Sequence, residues 1–146
     1  MTRVVLSLLA TAIAVFACGP RSHSAPTSAR AGKPSGQLVA HVDVQLRDGV
    51  EFDLSLLNDS GKRVELDFTS GKTHDFVVLD ARGREVWRWS EGRMFTQAMR
   101  NRLLDVRDTA HWSERWDAAA PGAYTVVAML TAANHPVEQR VDFRVP

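Results

Sequence analysis

DFVVLDARGREVWRW, residues 75–89, is the stretch on which the reading of the whole chain turns. Asp80 and Gly83 bracket a turn, and Gly83 can take the left-handed conformation that a bulged type I hairpin needs. With Asp80 opposite Arg84, Val78 faces Val86 and Val77 faces Trp87. One face of the hairpin then carries Phe76, Val78 and Val86, and the other Val77, Leu79, Trp87 and Trp89. Both faces are apolar, so the hairpin needs cover on both sides. A core can supply one cover. Residues 92–104 are expected to supply the other, with Met94, Phe95 or Met99 against the tryptophans.

Outward from the hairpin the same period of two recurs. On the N-terminal side, Val42, Val44 and Leu46 alternate with polar residues, as do Val50, Phe52, Leu54 and Leu56, then Val64, Leu66 and Phe68. These spacings predict half-buried strands. Arg47-Asp48-Gly49 and Asn58-Asp59-Ser60-Gly61 supply the turns between them. On the C-terminal side, TVVAMLTA and VEQRVDFRV predict two more strands split by Asn134-His135-Pro136, and Val137, Val141, Phe143 and Val145 share one phase. If TAHWSERWD is a strand, Trp112, Glu114 and Trp116 share a face, which reads as core. FTQAMRNRLLDV is expected to give a helical turn or two at most. Many short strands and regular turns predict an all-β protein, an immunoglobulin-like antiparallel β-sandwich of about 7–9 strands.

The sandwich is expected to span residues 37–146. Before it, Arg3 is followed by the apolar run VVLSLLATAIAVFA and then by Cys18. A basic start, a short apolar run and small residues before a cut make residues 1–17 an export signal. Val15-Phe16-Ala17-Cys18 resembles the lipobox of bacterial lipoproteins, which implies cleavage before Cys18 and lipidation of that residue. Multiple acyl chains suffice to anchor a protein stably at a membrane. Cys18 is the single cysteine of the chain, so the domain is expected to be held by its core without a disulfide. Residues 18–36, rich in Gly, Ser, Pro and Ala, read as a disordered tether with a mean span of roughly 20–25 Å. The expected localisation is therefore the bacterial cell envelope, lipid-anchored and exported.

Composition and motifs exclude several functions. The net charge is +1 and the basic residues are scattered, which argues against nucleic acid as a partner. The five histidines make no HxH, HxxxH or HExxH spacing, so no metal site is expected. The glycines are spaced as turn residues rather than as a phosphate loop, and no cofactor is expected. His74-Asp75 near Ser70 lacks a nucleophile elbow and reads as a solvated loop and strand start. No carboxylate pair stands out. The chain is read as a non-enzyme.

The block LDFTSGKTHDFVVLDARGREVWRWSEGRMFTQA, followed by ERWD and PGAYTVVAMLT, resembles the intracellular proteinase inhibitor (BsuPI) family. The matching elements are Phe68, Ser70-Gly71, Asp75-Phe76, Gly83, Trp87, Trp89-Ser90, Met94-Phe95 and Pro121-Gly122-x-Tyr124. The resemblance implies a protein partner and inhibition of a subtilisin-like serine protease. The family's named inhibitor works inside the cell, whereas this chain opens on an export signal, so the target must differ. The candidate partner-binding loop is Arg93, Met94, Phe95, Thr96 and Gln97, with Trp87 and Trp89 supporting its base. Two alternatives stay open: a non-inhibitory envelope module that binds protein or polymer through aromatic surface or a sheet edge, and an enzyme. Tyr124, just after Pro121-Gly122, is expected to bond a backbone group across a corner.

Overall fold

A computed structural model describes residues 37–146. The expectations for residues 1–17, for Cys18 and for the tether 18–36 lie outside the described residues. No helix forms among the described residues. Nine strands do: β1 (Leu38–Arg47), β2 (Gly49–Asn58), β3 (Val64–Phe68), β4 (His74–Asp80), β5 (Glu85–Arg88), β6 (Arg100–Leu104), β7 (Thr109–Trp116), β8 (Gly122–Leu130) and β9 (Val137–Val145). They form one sheet in the order β1-β2-β7, a second in the order β5-β4-β8-β9, and a short pair β3-β6, all antiparallel. This is an immunoglobulin-like sandwich.

The alternation read from the sequence is the alternation found. Val50, Phe52, Leu54 and Leu56 of β2 are at most 1% exposed, while their neighbours are partly open. Val64, Leu66 and Phe68 of β3 are buried in the same way, as are Phe76 and Val78 of β4 and Val126, Ala128 and Leu130 of β8. Each large aliphatic or aromatic side chain so buried is worth about 1.5–3 kcal/mol. Trp112 and Trp116 of β7 point into this core, as their shared phase predicts. Tyr124 closes one corner: its hydroxyl donates to the Ala120 carbonyl at 2.9 Å, and its ring packs against Trp116.

The hairpin departs from the regular register. Asp80 and Arg84 close the turn as expected: the Asp80 N–H donates to the Arg84 carbonyl at 2.8 Å, and Gly83 is left-handed at φ 75°. Leu79 then pairs with Glu85, but Val78 pairs with Trp87, because Val86 is an extra, bulged residue. The bulge moves Trp87 onto the core face with Phe76 and Val78 and turns Val86 out to solvent. It also places Arg88 opposite Val77. The outer face is therefore not covered by residues 92–104. Val77 and its partner Val127 lie between Arg88 and Arg140 in one cross-strand row, where long arginine stems can shield them.

Residues 92–104 meet the expectation at Phe95, whose ring lies 5.4 Å from that of Trp89, and depart from it elsewhere. Met94 is 99% exposed and Met99 80% exposed, so neither packs on a tryptophan. The helical expectation for FTQAMRNRLLDV fails because Arg100–Leu104 is extended and pairs with β3.

Candidate functional site

Asp75 is the root of the region around the candidate loop. It begins β4 on the outward phase, yet it is 1% exposed. Three groups converge on its carboxylate: Lys72 Nζ at 2.5 Å, Arg88 Nη1 at 3.2 Å, and Ser90, whose Oγ donates at 2.6 Å and whose N–H donates at 3.2 Å. Burial pushes the Asp75 carboxyl up, but the Lys72 and Ser90 hydrogen bonds and the Lys72 charge outweigh it and hold the group below its ordinary value. The sequence reading of His74-Asp75 as solvated is thus overturned. Both are buried: Lys72 three residues before Asp75, with Arg88 and Ser90 from across the hairpin, satisfies the carboxylate, and Glu114 meets the imidazole. Ser70 Oγ accepts the Lys72 N–H at 3.2 Å.

Trp89 stands on this root. Its N–H donates to the Phe76 carbonyl at 2.9 Å, which continues the hairpin one residue past β5. The His74 ring stacks on it at 4.2 Å and 27°. His74 Nε2 meets Glu114 Oε1 of β7 at 3.0 Å and Nδ1 meets Thr73 Oγ1 at 3.2 Å, so the imidazole ties the two large sheets together. Burial is the larger influence on His74 and holds its pKa below the ordinary value against the opposing pull of Glu114. The Trp89 Nε1 is buried with no hydrogen-bond partner among the described residues.

The loop is laid over that indole. The Phe95 ring sits 5.4 Å from the Trp89 ring, and the Arg93 guanidinium lies 4.8 Å from its centroid while Arg93 Nε donates to the Trp89 carbonyl at 2.8 Å. At the far end the Gly71 N–H donates to the Thr96 carbonyl at 2.8 Å. A Cβ on Gly71 would stand 2.6 Å from Thr96 Oγ1, which is why the residue there has no side chain. Arg93 to Thr96 is thus fastened at both ends. Between the fastenings, Met94 projects into solvent. Thr96 and Gln97 are exposed, and Gln97 Nε2 reaches the Phe95 carbonyl at 3.4 Å.

The structure brings Arg93 and Phe95 together on Trp89. Trp87 lies one step deeper, against Phe52 at 5.9 Å and Trp116 at 6.3 Å. Sequence reasoning gave Lys72 no role, named Gly71 and Asp75 only as family-matching elements, read His74-Asp75 as solvated, and placed Glu114 on the core face of its strand without a partner. One signal was present: a strand apolar on both faces that begins with His-Asp has to pair that charge somewhere. Among the described residues no three His, Cys, Asp or Glu side chains are placed to hold a metal. An open groove of about 640 Å³, lined in part by Leu38, Lys62, Val64 and Pro136, shares no residue with the loop.

A sandwich that fastens one loop at both ends and leaves an apolar tip free has the build of a binding module. Comparison with known families makes the class specific. The model of the intracellular proteinase inhibitor family, BsuPI, matches residues 38–135, more than half of the chain, and the chain belongs to that family. The match runs from the start of β1 into the turn before β9. No curated protein matches the chain. Among solved structures, a penta-heme cytochrome c552 from Thermochromatium tepidum is similar at 9% identity and a TM-score of 0.43, over 74% of this chain and 39% of that one. The chain thus spans about two fifths of that structure's length, and the likeness carries no functional argument. Family membership indicates a proteinase-inhibitor-like domain, a class whose partners are proteins.

Proposed function

We propose that this domain inhibits a serine protease of the subtilisin type by inserting the loop Arg93–Gln97 into its cleft. We further propose that a lipid on Cys18, left after removal of residues 1–17, holds it at a bacterial membrane in the cell envelope. The observation that supports the first reading is Met94: 99% exposed, apolar, and carried on a loop whose neighbours on both sides are fixed. Fixing a loop before binding removes ordering costs of about 0.5–1.5 kcal/mol per immobilised side chain. It also keeps the backbone from relaxing into a cleavable geometry. Trp89, Asp75 and Gly71 supply that rigidity. No step requires a metal, a cofactor or turnover by this chain.

The test is residual activity of a subtilisin-type protease titrated with the protein. Saturable, one-to-one inhibition with the inhibitor left uncleaved is expected, and Met94→Ala should weaken it by about 1.5–3 kcal/mol, the value of one buried methionine. Inhibition that survives Met94→Ala undiminished would remove the loop as the site. For the anchor, metabolic labelling with a radioactive fatty acid should mark the wild-type protein and not Cys18→Ala; an unlabelled wild type would sink that part. A polymer-binding platform finds no support, since Trp112 and Trp116 are buried and Trp87 and Trp89 half-buried.

A further inference from the structure

The sheet edges are finished in different ways. β5 is four residues long and bulged at Val86. β1 runs beside β9. The outer edge of β3 is capped: the Ala133 N–H donates to the Asp67 carbonyl at 2.7 Å and Asn134 Nδ2 to the Glu65 carbonyl at 2.8 Å. Short, bulged or covered edges are how sheets avoid pairing with other chains. β6 and β7 each have one side without a strand neighbour among the described residues. On β7 the charges are already partnered, His111 by Asp53, Glu114 by His74 and Arg115 by Asp117.

On β6 they are not. Arg100 and Arg102 are exposed and make no ion pair among the described residues; Arg102 lies with its guanidinium 5.2 Å from the Trp112 ring. From Gly92 to Leu104 there are three arginines and no acidic residue. The same stretch exposes Met94, Met99 and Leu103. Charge alone would protect an edge; unpaired cations interleaved with exposed apolar side chains form a recognition surface.

We propose that β6 is a docking edge that takes an extended, acidic segment of the protein partner as an added strand. The inference rests on the reading of residues 93–97 as the partner-binding loop, and extends that contact along the chain. Main-chain hydrogen bonds along residues 100–103 hold such a segment, the Leu104 carbonyl already accepting from Asn58 Nδ2 at 2.9 Å, and side chains at alternate positions select it. Arg100 and Arg102 share a face, since they pair with the core-phase residues Phe68 and Leu66. Carboxylates two residues apart on the incoming strand therefore fall beside both guanidiniums. Leu103 lies on the opposite face and meets a residue of the alternate phase.

The test needs no protease. A fluorescent peptide of alternating glutamate and threonine is titrated into the full chain, with a glutamine–threonine peptide as control. Amide hydrogen exchange then locates the contact. Expected are saturable binding of the acidic peptide, none of the control, slowed exchange confined to β6 and its flanks, and a loss of about tenfold or more in affinity in R100E/R102E. Equal unfolding midpoints show that this variant is folded; if they differ, R100Q/R102Q replaces it, with the same loss expected. No binding, equal binding of the control, protection elsewhere than β6, or binding indifferent to both substitutions would each overturn the proposal. Because the peptide readout is separate from inhibition, a chain that binds the peptide on β6 but inhibits nothing would remove the loop reading and keep the edge.

Discussion

The segment from Asp75 to Ser90 and the segment from Gly92 to Leu104 are adjacent and are built on opposite terms. In the first, the buried Asp75 carboxylate is met by Lys72, Arg88 and Ser90, and the His74 ring just before it meets Glu114. In the second, Arg100 and Arg102 stand unpaired among the described residues and Met94 and Met99 are bare. Phe95 and Arg93 cross from one to the other, through Trp89 and, for the Arg93 N–H, the Ser90 carbonyl. The difference teaches where the molecule can change. The first segment is a foundation whose groups depend on one another, and the second is a surface whose groups do not.

The contrast breaks most severely at Asp75. Asp75→Ala leaves two cations and the Ser90 hydroxyl without their shared acceptor. Because Lys72 and Arg88 are about one third exposed, the loss should sit near the lower end for a broken buried pair, about 3 kcal/mol. A urea unfolding midpoint measures it, and a change under 1 kcal/mol (less than a typical net hydrogen bond) would mean that the cluster is incidental.

Acid should weaken the same foundation in two stages. His74 and Asp75 are both lowered from their ordinary values of 6.5 and 3.8. The unfolded chain therefore takes up each proton first. The stability tied to His74 is whole above 6.5 and is lost as pH falls through its folded value; that tied to Asp75 is whole above 3.8 and is lost in the same sense further down. Thermal midpoints against pH should show the upper stage in the wild type and not in His74→Gln. Superimposable profiles would mean that the imidazole does not sense folding.

Gly71→Ala sharpens the comparison at its seam. The new Cβ displaces Thr96, which should cost about 1 kcal/mol of stability, as a small overpacking does. The larger effect should fall on inhibition, since the loop loses its second fastening. The smallest effects belong to the surface: Met94→Ala and Leu103→Ala should leave stability within about 0.5 kcal/mol of wild type. A larger change in the unfolding midpoint of either variant would show that the exposed segment carries part of the fold.

How much of this was legible depended on which strand was being read. β2 and β3 each bury one clean face, β9 half-buries one, and their phase was visible in the residues. β6 was missed because RNRLL buries Leu104 alone; a strand with one buried residue has no period to show. The turn at Asp80–Arg84 was readable from Asp and Gly, but the extra residue at Val86 was not, since valine suits either side of the register. The burial of His74 and Asp75 was hidden for another reason. It depends on Lys72, Ser90 and Glu114, which only the fold brings within reach. On the loop, the stacking of Phe95 followed from aromatic content, whereas Met94 and Met99 were assigned inward on hydrophobicity alone, and nothing local marked them as outward.

The bulge at Val86 carries one further consequence. Side chains in this hairpin are sorted by counting, and the count is odd by one. Deleting Val86 would leave Glu85 opposite Leu79 and Trp87 opposite Val78 in a plain ladder, with Trp87 still on the core face, whereas pairing Val86 with Val78 instead would turn Trp87 outward. At this place the molecule can therefore lose one residue without re-sorting its neighbours, provided that the residue lost is the one the ladder does not count.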